Sequence, residues 1–243
     1  MIRYLLASLL LCATAFGSAA TVFITQNGAG TKDGTTLGNA GACDAVANTP
    51  QATCAFFNNA ANWGAGATQI GQDTVVIASG TITGSAGAGG YFNFQASGVS
   101  GHPITLRITG IVQSTHWAAN SGGSGCIGGA VCMSSRSFVT LDGGGTGVIQ
   151  NTDNGSVLGS HVASVGVDGY SCTSCSITNI AINNIYVNVS GNSVLGDASF
   201  ARCMEITGSG WTIDHFTMHD AGFCIVDFYA NGDSNLTISN STF

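Results

Sequence analysis

Two stretches near the end of this chain superpose without a gap. "GWTIDHFTM" and "SNLTISNSTF" align with Trp211 on Leu236, Ile213 on Ile238, His215 on Asn240 and Met218 on Phe243, a shift of 25 residues. "NIAINNIYV" fits the same frame, with Ile180, Ile182 and Asn184 at the matching places. A strand-rich period of this length, with a polar residue after the central strand, describes β-coils stacked on one another. Inward Ile, Val and Phe would then stand over their copies one coil along, about 4.8 Å away. An antiparallel sandwich is the competing fold, and it predicts hairpin dipeptides such as Asn-Gly and no in-register repeat.

The rest of the chain follows the same grammar. "DTVVIASGTITG", "YFNFQ", "PITLRITG", "SFVTLDG", "SITNIAINNIYVNVSG" and "CMEITGSGWTID" alternate apolar and polar residues between Gly, Asn, Asp or Ser. β-branched alternation bounded by turn formers predicts strands. One segment, "ATCAFFNNAANW" from Ala52 to Trp63, reads as a short helix. Thirty-six glycines suggest disorder, but 44% apolar residues argue for a packed core.

The ends add location. Arg3, the apolar run "YLLASLLLCATAF" and the small residues "GSAA" make residues 1–20 an export signal, with 21–243 as the mature domain. The apolar run is too short to cross a bilayer comfortably, and no later stretch is apolar enough. A secreted or periplasmic chain without a membrane anchor is the expectation. Phe243 stops on an inward-type position with no polar cap after it, so the domain reads as incomplete at its C-terminus.

Eight cysteines remain once the signal is removed. Cys43 and Cys54, Cys126 and Cys132, and Cys172 and Cys175 bracket short loops, while Cys203 and Cys224 would lie on successive coils. An oxidising compartment favours disulfides over a zinc site built from Cys126, Cys132, Cys172 and Cys175, whose spacing is not that of a zinc motif. The connectivity stays open.

Charge narrows the partners. Lys32, Arg107, Arg136 and Arg202 are the basic residues of the mature chain, against twelve carboxylates. Nucleic acid is excluded, because its binding depends on Lys and Arg neutralising phosphate. An anionic sugar polymer would be repelled as well, unless a divalent cation bridged it to carboxylates.

"TVFITQNGAGTKDGTT", "FFNNAANW", "IGQDTVVIASGTITG" and "ASGVSGHPITLRITG" together resemble the opening segment of the right-handed parallel β-helix superfamily, which includes pectate lyases. The resemblance covers nearly the whole mature chain. It implies an all-β solenoid with a short N-terminal helix and a polysaccharide partner. "TIDHFTMHDAGFCIVDF" is similar to a stretch of the calcium-dependent pectate lyases. That similarity implies calcium as cofactor, with Asp214 and Asp227 as ligands. The family's middle acid falls on Phe223, and its bases lie beyond Phe243.

Within the sequence, Arg202 is the cation nearest these acids and is a candidate base. Glu205 with Asp214 or Asp227 is a candidate carboxylate pair for glycoside hydrolysis, which needs a separation of about 5 to 9.5 Å. His215 sits where Asn240 stands in the next copy, so it reads as a turn residue in a stacked polar ladder. His215 and His219 need not converge on a metal when they lie on a strand entering a turn. "NTDNG" resembles a polygalacturonase signature but reads as a turn, and Asp142, Asp153 and Asp168 read as turn caps in Gly-rich loops.

Two functions fit. One is a polysaccharide-directed β-helix enzyme, a lyase or a hydrolase. The other is a non-catalytic surface or adhesin-type β-helix presenting polar faces. Exposed aromatics among Tyr91, Trp117, Tyr186 and Tyr229 would favour sugar binding, whereas bare Thr and Asn rows would favour adhesion. None of these features fixes an oligomeric state.

Overall fold

The computed structural model describes residues 20–64, 70–85, 90–117, 126, 128–152, 164–185, 201–221, 223–227 and 235–243. The expected export signal lies outside this range except for its last residue, as do Asp153, Tyr186 and Tyr229. No helix among the described residues is long and apolar enough to cross a membrane.

Nearly every element is a strand. The first third carries β1 (Thr21–Thr25), β2 (Gly41–Ala42), β3 (Val75–Ala78), β4 (Thr81–Thr83) and β5 (Phe92–Asn93). The middle carries β6 (Ile104–Ile108), β7 (Ile111–Ser114), β8 (Val131–Cys132) and β9 (Val139–Asn151). Then come β10 (Ser164–Thr173), β11 (Ser176–Asn183), β12 (Ala201–Ser209) and β13 (Thr212–Asp214). The last three are β14 (Thr217–His219), β15 (Phe223–Asp227) and β16 (Thr237–Ser239). The segment expected to be one helix divides into α1 (Ala55–Asn58) and a 3₁₀ turn at Ala60–Asn62. The division falls at Asn59, whose side chain accepts from the Ala61 N–H and so starts a second turn.

These strands form two sheets, and every named strand pair is parallel. The first sheet has eleven strands, with the order β16-β13-β11-β9-β6-β3-β1-β2 along its main path. The second has five, in the order β15-β12-β10-β8-β5. β9 and β11 each serve two rows of partners. The start of β11 pairs with β13 and its end with β14, and β9 likewise pairs with β6 and then β7. Parallel neighbours cannot be joined by hairpins, which removes the antiparallel sandwich.

Register follows side-chain character. Val22, Val76, Leu106, Leu141, Ile177 and Ile213 stand opposite one another across six strands, and each is buried. Fully burying one such side chain is worth about 1.5–3 kcal/mol, so this row alone is a large part of the core. Ile238 continues it in register with Ile213 but is 42% exposed. Thr212 pairs with Thr237, so the 25-residue shift read from the sequence is the shift of the backbone.

The third copy is placed differently from the expectation. Ile177, not Ile182, faces Ile213, so Asn179 rather than Asn184 corresponds to His215. Ile182 faces Met218 instead. Asn179, His215 and Asn240 share left-handed backbone, with φ of 52°, 50° and 48°. Asn and His tolerate that conformation better than most residues, which is why a polar ladder marks the turn.

Covalent staples act locally. Cys43 and Cys54, Cys126 and Cys132, and Cys172 and Cys175 lie at disulfide distance. Cys203 is buried, and the register of β12 with β15 sets it opposite Cys224, whose side chain is outside the described residues. Trp117 and Tyr91 are both buried, so neither supplies an exposed sugar platform.

Candidate active site

The two sheets receive their polar residues differently, and that difference locates the site. On β6 buried positions alternate with half-buried ones. On β12 the run from Arg202 to Thr207 is buried throughout. Arg202 and Glu205 lie inside that run at 8% and 5% exposure. Arg202 Nη1 donates to Glu205 Oε2 at 2.6 Å. The neighbouring strand adds a second carboxylate, since Asp168 on β10 is the direct register partner of Glu205. Asp168 is also buried, and its Oδ1 accepts from the Ser134 hydroxyl and from the Tyr170 N–H at 3.3 Å.

This cluster has a consistent electrostatic logic. Burial pushes the Glu205 carboxyl above its ordinary value, and the Asp168 charge pushes the same way, while Arg202 pulls it down. A carboxyl group whose proton affinity is raised, beside a second carboxyl held by hydrogen bonds, is an arrangement suited to dividing acid and base roles. Strand spacing in a sheet is about 4.8 Å, close to the carboxylate separation of about 5 Å used in retaining glycoside hydrolysis.

Arg202 and Glu205 are thus brought together, with Asp168 in place of the expected Asp214 or Asp227. Asp168 lies within a strand and not in the loop that its flanking glycines suggest, although it still accepts from the N–H two residues on. A Cβ on Gly169 would meet the Trp211 ring at 2.6 Å, and one on Gly166 would meet the Cys203 carbonyl oxygen at 2.5 Å. Those glycines make room for packing inside a strand. The alternation of Val165 and Val167 with Ser164, Gly166 and Asp168 was the available signal for β10. Asp142 lies within β9 and does cap the glycine excursion after it, its Oδ1 accepting from the Gly144 N–H at 2.8 Å, while Arg107 Nε donates to its Oδ2 at 2.8 Å.

Asp214 and Asp227 fall on different sheets. Asp214 ends β13 in the first sheet, whereas Asp227 ends β15 in the second, in register with Ile206. Asp214 Oδ1 accepts from Ser239 Oγ at 2.7 Å and Asn240 Nδ2 at 2.8 Å, and its Oδ2 accepts from His215 Nδ1 at 2.7 Å. Those bonds hold its carboxyl down at about 2. Both oxygens are therefore already engaged. His219 pairs separately with Asp220 at 2.8 Å, so the two histidines do not share a partner. Among the described residues, no group of three His, Cys, Asp or Glu side chains stands close enough to hold a metal ion.

Compared with known protein families, with curated proteins and with solved structures, this chain finds no match.

Proposed function

We propose that the chain is an exported right-handed parallel β-helix, of pectate-lyase-like architecture, that hydrolyses a neutral polysaccharide. The parallel pairing and the 25-residue register shift support the architecture, and the three cysteine pairs fit an oxidising compartment. The observation that carries the reaction is the Asp168–Glu205 register pair. Glu205 acts as the general acid that protonates the leaving oxygen, its proton affinity raised by burial. Asp168 is the second carboxylate, oriented by Ser134 and the Tyr170 N–H. Arg202 positions Glu205 through their direct bond. A net charge of −7 favours an uncharged polymer.

Calcium-dependent elimination has weaker support. It would draw on Asp214, whose oxygens Ser239, Asn240 and His215 already hold. The test is release of reducing ends from xylan, glucan and mannan by the wild-type chain and by Glu205→Gln. Wild type is expected to release them, and the variant to lose activity by about a hundredfold or more with its fold intact. Release from none of the polymers, or an unimpaired variant, overturns the hydrolase reading.

The non-catalytic surface protein has one observation of its own. Thr21, Val75, Thr105, Thr140, Ser176, Thr212 and Thr237 stand opposite one another across the first sheet, giving a row of hydroxyls with a single break. Adsorption to a polymer without any release of reducing ends would select that reading.

A further inference from the structure

A groove lies on the first sheet, whereas the carboxylate pair lies on the second. β9 pairs Asp142 with Thr178 and then Gly147 with Ile180. The chain of β9 therefore covers five residues where β11 covers two, and the surplus stands out from the sheet. Gly144 and Gly145, at φ of 57° and 83°, form its crest, and the Gly144 N–H donates to Asp142 Oδ1 at 2.8 Å. The groove, of about 350 Å³, lies beside this crest.

Its lining mixes polar and apolar groups. Thr146, Asn179, His215, Thr217 and Asn240 share it with Val148, Ile180 and Ala181. One donor of each ladder side chain is held by a carboxylate. Asn179 Nδ2 donates to Asp142 Oδ1 at 3.3 Å, and Asn240 Nδ2 to Asp214 Oδ1 at 2.8 Å. His215 pairs through Nδ1 with Asp214 Oδ2. Each amide keeps its oxygen and a second N–H, and His215 its Nε2, alongside the hydroxyls of Thr146 and Thr217 in the lining. Polar groups able to accept and donate, set beside apolar ones, suit a ligand with hydroxyls at its edge and C–H groups on its face.

We propose that this groove is a binding site for a neutral sugar chain, separate from the carboxylate pair. It rests on the polysaccharide reading above and adds a second point of attachment to it. Asp142 and Asp214 serve as positioning residues, because they hold Asn179, Asn240 and His215 by direct hydrogen bonds.

The experiment titrates the full chain with xylohexaose, cellohexaose and mannohexaose by calorimetry. The double variant His215→Asn, Thr217→Ala keeps a residue type that the ladder already places in left-handed backbone at Asn179 and Asn240. At least one hexasaccharide is expected to bind, and the double variant is expected to lose affinity for it by tenfold or more. Lys32→Ala, at an exposed side chain outside both sites, is expected to bind as the wild type does. No binding of any hexasaccharide at millimolar concentration, or unchanged affinity in the folded double variant, overturns the groove. Loss of binding in Lys32→Ala would do so as well, by moving the site away from the groove. Reducing-end release reads the carboxylate pair and calorimetry reads the groove, so the two proposals fail separately.

Discussion

On the first sheet one member of an ion pair reaches water, and on the second neither does. Arg107 on β6 remains 41% exposed while it pairs with Asp142, whose own side chain is 11% exposed. Arg202 on β12 pairs with Glu205 with both side chains below 10%. The first arrangement needs no special cause, since an outward position on an alternating strand is solvated. The second does, because taking a carboxylate and a guanidinium out of water costs several kcal/mol per ion before their attraction offsets it. In a protein with 7% charged residues, three buried on two adjacent strands are the basis on which the proposed reaction is placed there.

Substitution should widen this contrast. Arg202→Ala leaves Glu205 buried without its guanidinium, and is expected to destabilise the fold by about 3–5 kcal/mol. Arg107→Ala removes a half-exposed guanidinium and leaves Asp142 the Gly144 N–H and Asn179 Nδ2 as donors, so it is expected to cost less, about 1–2 kcal/mol. Chemical denaturation of the two variants compares them directly, and equal losses would erase the distinction between the sheets. An effect of that smaller size is expected at the turn. His215→Val forces a β-branched residue into left-handed backbone, at a cost of about 1–2 kcal/mol, whereas His215→Asn should leave the midpoint nearly unchanged.

The scaffold was more legible than the site, for a physical reason. A strand with one face in the core writes its alternation into the local sequence, so β3, β6 and β11 were readable as runs of Val, Ile and Thr. The shift from Trp211 to Leu236 was readable because its apolar positions stack on like residues. The same frame slipped at "NIAINNIYV" because Asn179 and Asn184 both take left-handed backbone, five positions apart. Either asparagine fits the pattern, and only the pairing of Ile177 with Ile213 decides. β10 was missed because both of its faces are buried, so its glycines looked like turn formers. The Asp168–Glu205 pair joins residues 37 positions apart, a proximity created by strand register and invisible to local pattern.

The two sheets also predict opposite responses to pH. Asp214, held at about 2 in the folded chain against 3.8 for the free group, contributes stability above the unfolded value that is lost as pH falls through about 2. Glu205 is raised above 4.5, so folding retains a proton that the unfolded chain releases, and its contribution declines as pH rises through the folded value. The most direct measurement is a carboxyl titration of Glu205 by NMR, in the wild-type chain and in Asp168→Asn. Titration above 4.5, moving back down when Asp168 loses its charge, is the expected result. A Glu205 that titrates at or below 4.5, or that ignores the Asp168 substitution, would contradict the assignment of these two carboxylates as a working pair.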